Sequence, residues 1–231
     1  MFGKYTSRYK SAFHYDSEDS SNGPVYSDSY FYNTVYDNYG GRYESYWDEE
    51  ADTTEHTWSM DGFYDYEGSS TYNEETGVFT GYYTYDSEIT NKWNESTYYS
   101  RSSGSSSYEQ DRFEMTGTNE YETLNDPYWE DDYYYKSQIL SPLVYDYTCY
   151  QSYYETMDDE DAAASSYYAW FTYVSGIEAI DFREGEMEGS FVIDYGSGAC
   201  DNLVTITENG ETYEVDLWEF YQYDYTAEEG D

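Results

Sequence analysis

The stretch that decides the fold is VTITENGETYEVDL, residues 204–217. Apolar and polar residues alternate on both sides of Asn209-Gly210, which is typical of two strands joined by a tight turn. Asn-Gly readily adopts the positive φ angles of a type I′ turn, whose twist matches the flanking strands. Just upstream, residues 191–195 (FVIDY) alternate in the same way before the link Gly196-Ser197-Gly198. The sequence therefore predicts three consecutive antiparallel strands in this part of the chain.

The same period-two pattern occurs much earlier in the chain, with aromatic rings in place of aliphatic side chains. Residues 79–85 (FTGYYTY) alternate aromatic and small or polar residues, as in a strand with one buried face. Clusters of Gly, Ser, Asn and Asp at 37–41, 67–70 and 102–107 predict turns between short strands. Together these patterns predict an all-β fold, an antiparallel meander or a sandwich.

Composition sets the chemistry of the interior. The chain has 37 Tyr and 6 Trp among 231 residues, but only 19 Leu, Ile and Val. Such a low aliphatic content with high net charge is normally read as disorder. Tyr, however, has a large apolar face and a hydroxyl that seeks a hydrogen-bond partner, so it suits half-buried sheet surfaces. We therefore expect a folded chain whose packing relies on phenol rings.

Aliphatic and basic residues are distributed unequally along the chain. Of the 19 Leu, Ile and Val, 14 follow residue 138, whereas eight of the nine Lys and Arg precede it. This asymmetry predicts a Tyr-, Ser- and acid-rich β region at 1–137 and a compact C-terminal β module at 138–220. An acidic tail follows at 221–231.

The chain has two cysteines, Cys149 and Cys200, and neither lies in a CxxC pair. Metal-ligand and redox motifs are therefore not indicated. The two residues could form a single disulfide, which favours an oxidising compartment, or remain two buried thiols. The pattern of residues 143–149 predicts a strand with Leu143, Tyr145, Tyr147 and Cys149 on one face.

The charge balance excludes several partners. With 50 Asp and Glu against 9 Lys and Arg, the formal net charge is -41, which repels nucleic-acid phosphates and anionic lipid headgroups. No run of about 20 apolar residues predicts a transmembrane helix. Carboxylate oxygens are ligands for Ca²⁺, so Asp158, Asp159, Glu160 and Asp161 are a candidate calcium site, with a solvated acidic loop as the alternative reading.

The C-terminal residues also resemble a known group of proteins. The run VIDYGSGACDN at 192–202, followed by Thr205, Asn209-Gly210 and Tyr213-Glu214-Val215, resembles the C-terminal module of uncharacterised Bacteroidetes secreted proteins and lipoproteins. The pieces 141–149 and 174–178 resemble the same module, which covers residues 138 to 217. The resemblance implies export, an all-β structure and a Cys149–Cys200 disulfide.

No catalytic motif stands in a suitable context, and the two histidines, His14 and His56, lie far apart without evident companions. We therefore predict a protein that is not an enzyme. The leading hypothesis is an extracellular or cell-surface structural or adhesive protein, such as a filament or matrix subunit, which associates with itself or with surface glycans. One alternative is a carbohydrate-binding module using Trp47, Trp58, Trp93 and Trp129. Another is an acidic decoy that mimics nucleic-acid phosphates.

Overall fold

The structure is a computed structural model that describes residues 1–16, 25–45, 54–125, 132–149 and 173–217. Side chains are described for residues 1–13, 26–42, 57–125, 132–149 and 173–217. Eleven strands form one sheet in the order β1 to β11, and each neighbouring pair is antiparallel. The strands are β1 (Phe2–Asp16), β2 (Val25–Ser45), β3 (Thr54–Asn73), β4 (Phe79–Trp93), β5 (Ser96–Glu109), β6 (Arg112–Leu124), β7 (Tyr133–Asp146), β8 (Ser175–Glu184), β9 (Met187–Ser197), β10 (Leu203–Glu208) and β11 (Glu211–Asp216).

This topology confirms the predicted all-β fold and its antiparallel meander. Of the two arrangements left open by the sequence, the described strands adopt the meander, because they form a single sheet. The C-terminal hairpin is also confirmed: Glu208 pairs with Glu211 across Asn209 (φ 51°) and Gly210 (φ 81°). Both central residues have the positive φ that a type I′ turn requires.

The N-terminal strands are longer than predicted, because three of the predicted turns lie inside them. Residues 37–41 lie in the 21-residue strand β2 at a bulge, 67–70 lie in β3 and 102–107 lie in β5. In β5 the small side chains pair across the sheet: the hydroxyl oxygens of Ser105 and Thr116 are 2.9 Å apart. A Cβ added at Gly104 would lie 2.7 Å from the Tyr85 hydroxyl on β4. Contacts with neighbouring strands therefore override the preference of Gly and Ser for turns.

The register separates the side chains into two faces of different chemistry. Most rings share one face, named here the aromatic face, which carries all three exposed rings of β1 on that side, Tyr5, Tyr9 and Phe13. Its other rings are Tyr26, Tyr30, Tyr32, Tyr36, Tyr39, Trp58, Tyr64, Tyr66, Tyr72, Phe79, Tyr83, Tyr85, Trp93, Tyr98, Tyr108, Phe113, Tyr121, Tyr133, Tyr135, Tyr145, Phe182, Phe191, Tyr195 and Tyr213. The opposite face, named the polar face, is rich in Ser, Thr, Asp and Glu.

Buried aliphatic side chains cluster in the C-terminal strands and the residue before β8. Among the described residues, the buried hydrophobic side chains are Leu143, Val144, Val174, Ile180 and Val204. A backbone hydrogen bond of 2.8 Å from the Val174 N–H to the Val144 carbonyl joins the residue before β8 to β7. The uneven distribution of aliphatic residues in the sequence therefore matches a difference in packing. Strands β7 to β10 bury aliphatic side chains, whereas strands β1 to β6 rely on contacts between neighbouring rings.

The predicted boundary between residues 137 and 138 falls within β7, and strands on both sides belong to one sheet. The division into two regions stays a prediction. The acidic tail at 221–231 lies outside the described residues.

The strand predicted at 143–149 is too long at its C-terminal end. Strand β7 ends at Asp146, and residues 147–149 are helical. The Asp146 carboxylate accepts a 2.9 Å hydrogen bond from the backbone N–H of Thr148, as a residue that caps a helix N-terminus does. Cys149 therefore lies in a helical turn after the strand.

Candidate functional site: the aromatic face and two edge strands

The centre of the aromatic face is a ladder of rings that crosses strands β2 to β6. The ring centroids of Tyr30 and Tyr66 are 5.4 Å apart, and those of Tyr66 and Tyr83 are 6.0 Å apart, both stacked. Tyr108 continues the row at 6.3 Å from Tyr83 and contacts Phe113 edge-on. We name Tyr30, Tyr66, Tyr83, Tyr108 and Phe113 the aromatic ladder. Such pairs contribute about 0.5–1.5 kcal/mol each beyond their area burial.

A glycine makes the ladder possible. Gly68 pairs with Tyr30 on one side and with Tyr83 on the other. A Cβ added at Gly68 would lie 2.4 Å from Cδ1 of Tyr83 and 3.0 Å from Cζ of Tyr30. The two rings therefore lean over the glycine, which leaves the space that a side chain would fill.

The ladder also changes the acidity of its phenols. Burial raises the pKa of Tyr30 well above its usual value, and the hydroxyl contact with Tyr66, 3.2 Å between the two oxygens, raises it further. Burial also raises the pKa of Tyr83. Since a phenolate would be poorly solvated at these two positions, Tyr30 and Tyr83 stay neutral over the physiological range.

A second ring cluster lies at the other end of strands β1 to β3. Tyr5 lies 5.3 Å from Tyr36 and 5.7 Å from Tyr39 between ring centroids, and Tyr39 meets Trp58 edge-on at 5.5 Å. Trp58 is thus half-buried in this cluster, whereas Trp93 is exposed at the end of β4. The other two tryptophans predicted to bind sugar, Trp47 and Trp129, lie outside the described residues.

A carboxylate on the C-terminal part of the aromatic face is held by hydroxyl groups. Glu178 accepts a 3.2 Å hydrogen bond from the Tyr195 hydroxyl and another from the buried hydroxyl of Ser137. Tyr173 packs edge-on against Tyr195 at 5.2 Å. Burial, and then the nearby negative charge of Glu178, raises the pKa of Tyr195. We name Ser137, Tyr173, Glu178 and Tyr195 the Glu178 cluster.

The polar face carries the basic residues. By register, all nine Lys and Arg of the chain lie on it: Lys4, Arg8, Lys10, Arg42, Lys92, Arg101, Arg112, Lys136 and Arg183. Arg101 lies 3.9 Å from Glu88, and Arg183 lies 3.3 Å from Glu122 with its guanidinium over the Tyr134 ring. Exposed pairs of this kind contribute roughly 0–1 kcal/mol each. The decoy hypothesis, which needs rows of carboxylates, stays a prediction.

The polar face also has a shallow depression of about 300 Å³ near the β5–β6 turn. Its charged lining residues are Glu109, Arg112 and Glu114. Two carboxylates and one guanidinium give the lining of this depression a formal charge of -1.

Two strands lie at the edges of the sheet. Among the described residues, β1 pairs only with β2, and β11 pairs only with β10. Each edge strand therefore offers backbone N–H and C=O groups to another strand. Strand β1 carries Lys4, Arg8 and Lys10 and ends at a single acid, Asp16, whereas β11 carries Glu211, Glu214 and Asp216. The two edges thus differ in charge sign.

The predicted Cys149–Cys200 disulfide is present in the structure. It closes a sequence separation of 51 residues and joins the helical turn after β7 to the loop between β9 and β10. The alternative of two buried free thiols is thereby wrong.

The predicted calcium ligands Asp158, Asp159, Glu160 and Asp161 lie outside the described residues. Within the described ranges, no group of three or more His, Cys, Asp or Glu is arranged to hold a metal ion. No helix in the described part of the chain is long and apolar enough to cross a membrane.

Comparison with known proteins finds no matching family model, no matching curated protein and no matching solved structure. The fold alone defines the class: an all-β protein whose described strands form one antiparallel meander with chemically distinct faces. The resemblance to Bacteroidetes exported proteins stays a prediction.

Sequence reasoning missed three features: the aromatic ladder, the Glu178 cluster and the charge difference between the edges. The aromatic ladder had a signal in the sequence, because Tyr30, Tyr66, Tyr83 and Tyr108 lie in stretches that alternate aromatic and polar residues. Which of these rings lie side by side depends on the strand register. That register could not be predicted, because turns were predicted at positions where the strands continue. Glu178 is one of 50 acidic residues, so only its contacts single it out.

Proposed function

We propose that this protein is a structural or adhesive β-protein that works outside the cell or at its surface, as a subunit of a filament or matrix. The observation that carries the proposal is the open sheet, whose described part has two edge strands with unpaired backbone on one side. Exposed edges are a physical route to addition of further strands from another chain. The disulfide is consistent with an oxidising compartment.

The aromatic face supports the same proposal. Its rings are half-buried against one another, yet several remain open to solvent: Tyr9 and Phe13 are each 69% exposed and Tyr213 is 48% exposed. These exposed rings lie on the two edge strands, β1 and β11, where a partner strand could cover them. Tyr is suited to such contacts because its ring packs while its hydroxyl stays hydrated or hydrogen-bonded.

The test is the assembly state of the purified protein over graded NaCl, with and without Ca²⁺. We expect filaments or sheets by electron microscopy and fast-sedimenting species by ultracentrifugation once the charge of -41 is screened. Particles that remain monomeric under every condition would contradict the proposal.

The Glu178 cluster favours carbohydrate binding as a second candidate function. A carboxylate that accepts hydrogen bonds, phenol hydroxyls and the faces of Tyr173 and Tyr195 are together the groups that recognise a sugar ring. Glu178 is one of few carboxylates on the aromatic face; the others among the described strands are Asp28, Glu184, Glu208 and Glu211. This position makes it a directional group within an apolar surface.

Glycan-array binding tests the second function. We expect Glu178→Gln and Tyr195→Phe to reduce binding to the bound glycan about tenfold, the loss of one charge-assisted hydrogen bond. Glu188→Gln on the polar face removes the same charge without touching the cluster and serves as the control. An array without signal for the wild-type protein excludes this function.

A further inference from the structure

We infer that copies of this chain join head to tail, with β1 of one copy added in parallel to β11 of the next. This inference rests on the proposed function, which it deepens by naming the contact. The partner is a second copy of the same chain, and the contact joins two edges that differ in both charge and position in the sheet.

The first argument is charge. Residues 2–13 of β1 contain Lys4, Arg8 and Lys10 and no acidic residue, in a chain where acids outnumber bases 50 to 9. One third of all basic side chains thus lie on one edge strand. Strand β11 has the opposite character, since Glu211, Glu214 and Asp216 are its only charged residues. The three cations of β1 form no ion pair within the described part of the chain.

The second argument is that the faces match only in one orientation. Neighbouring strands are antiparallel throughout, so β1 and β11, both odd in the order, run in the same direction. A second copy can therefore be added in parallel by moving it across the strands, in the direction of the sheet's hydrogen bonds, and rotating it by the sheet's own twist. This movement keeps the aromatic and polar faces continuous. Antiparallel addition with the same strand order turns the second copy over and sets rings beside charges.

A specific register shows how the side chains meet. If Glu214 stands beside Arg8, then Asp216 stands beside Lys10 on the polar face. The same register sets Val215 beside Tyr9 on the aromatic face, because side chains alternate along both strands. Backbone pairing of the six-residue β11 with the 15-residue β1 then joins the sides of these strands that face no other strand in the described part of one copy.

Symmetric contacts are disfavoured by the same charges. A β1–β1 dimer opposes Lys and Arg to Lys and Arg, and a β11–β11 dimer opposes Glu and Asp to Glu and Asp, which destabilises cross-strand pairing. A head-to-tail contact that repeats by translation does not close, so it generates an open filament.

Charged edges also protect sheets from aggregation, which is the competing explanation of the β1 cations. The sign of the charges does not separate the two explanations, because Lys is the side chain most used to protect an edge. The exposed rings Tyr5, Tyr9 and Phe13 on the other side of β1 add attraction that a protected edge avoids.

Charge reversal on each edge tests the inference. The β1 variant is Arg8→Glu with Lys10→Glu, and the β11 variant is Glu214→Lys with Asp216→Lys. Each alone sets like charges against each other, so we expect the critical concentration for assembly to rise about tenfold or more. An equimolar mixture of the two variants restores opposite charges at every contact, and we expect it to assemble as the wild type does.

The matched control is Lys92→Glu with Lys136→Glu, which changes the net charge by the same amount as the β1 variant but lies on interior strands of the polar face. We expect it to assemble nearly as the wild type does. If the β1 variant assembles as readily as this control, or the mixture fails to assemble, the head-to-tail contact is wrong, while the proposed function stands. A wild-type protein that never assembles contradicts both.

Discussion

The aromatic ladder depends on the absence of a side chain at one residue. Gly68 lies between Tyr30 and Tyr83, where an added Cβ would come closer than van der Waals contact. We predict that Gly68→Ala destabilises the protein by about 1–3 kcal/mol, the usual cost of overpacking. Urea unfolding measures the loss, and near-ultraviolet circular dichroism reports the displaced rings. Ser69→Ala, on the polar face of the same strand, should change stability by less than about 0.5 kcal/mol.

The phenols with raised pKa make stability sensitive to alkali. Tyr30 and Tyr195 ionise in the unfolded chain near the ordinary pKa of about 10, but at higher pH in the folded protein. Their contribution is fully present below pH 10 and is lost as the pH rises above it, because only the unfolded state then releases protons.

We therefore predict that the urea midpoint stays level from pH 7 to about pH 9.5 and falls above pH 10. Tyr195→Phe should make the alkaline decline shallower, since a phenylalanine has no proton to release. Tyr9→Phe, a substitution at an exposed ring of β1, serves as the control. An alkaline decline that is equally steep in the wild type and in Tyr195→Phe would contradict the assignment.

At the scale of elements, the Cys149–Cys200 disulfide joins two ends of the C-terminal strands. Cross-linking across 51 residues removes chain entropy from the unfolded state, worth about 4 kcal/mol in the loop-closure description. We predict that Cys149→Ser with Cys200→Ser lowers the free energy of unfolding by about 2–5 kcal/mol.

Hydrogen exchange locates the effect of that substitution. The amides of β7 to β10 should lose protection, because the disulfide joins the turn after β7 to the loop before β10. The amides of β3 to β5, which lie elsewhere in the sheet, should change little. Uniform loss of protection over all strands would show that the sheet unfolds as one cooperative unit.

The elements that could be predicted from the sequence are those whose signals are local. Asn209-Gly210 with its flanking alternation gives β10 and β11, because the turn geometry needs only those residues. The glycine and serine clusters at 67–70 and 102–107 were wrongly predicted as turns and lie inside β3 and β5. The same residue types occur in turns and in strands where a ring of a neighbouring strand needs space. Only the partner strand decides between the two uses, and it lies far away in sequence. The Glu178 cluster is hidden for the same reason.

At the scale of the whole molecule, the net charge of -41 opposes the compact state. Salt shortens the distance over which charges repel, from a Debye length of about 30 Å at 0.01 M to about 10 Å at 0.1 M. We predict that the thermal midpoint rises over this range and then levels off. A midpoint that does not change with NaCl would show that repulsion among the carboxylates contributes little to the free energy of unfolding.

Assembly should depend on ionic strength in a different way from folding, because two opposing interactions are screened at different distances. Repulsion between whole copies acts over tens of ångströms and is removed first. Attraction between the edge cations and edge carboxylates acts at contact and weakens only when the Debye length approaches about 3 Å, near 1 M. We therefore predict that the assembled fraction, measured by sedimentation, rises from 0.01 M to about 0.15 M NaCl and falls toward 1 M. In the Glu214→Lys with Asp216→Lys variant, high salt removes repulsion at the contact, so its assembly should instead rise steadily. A wild-type fraction that also increases without a maximum would assign the contact to apolar burial alone.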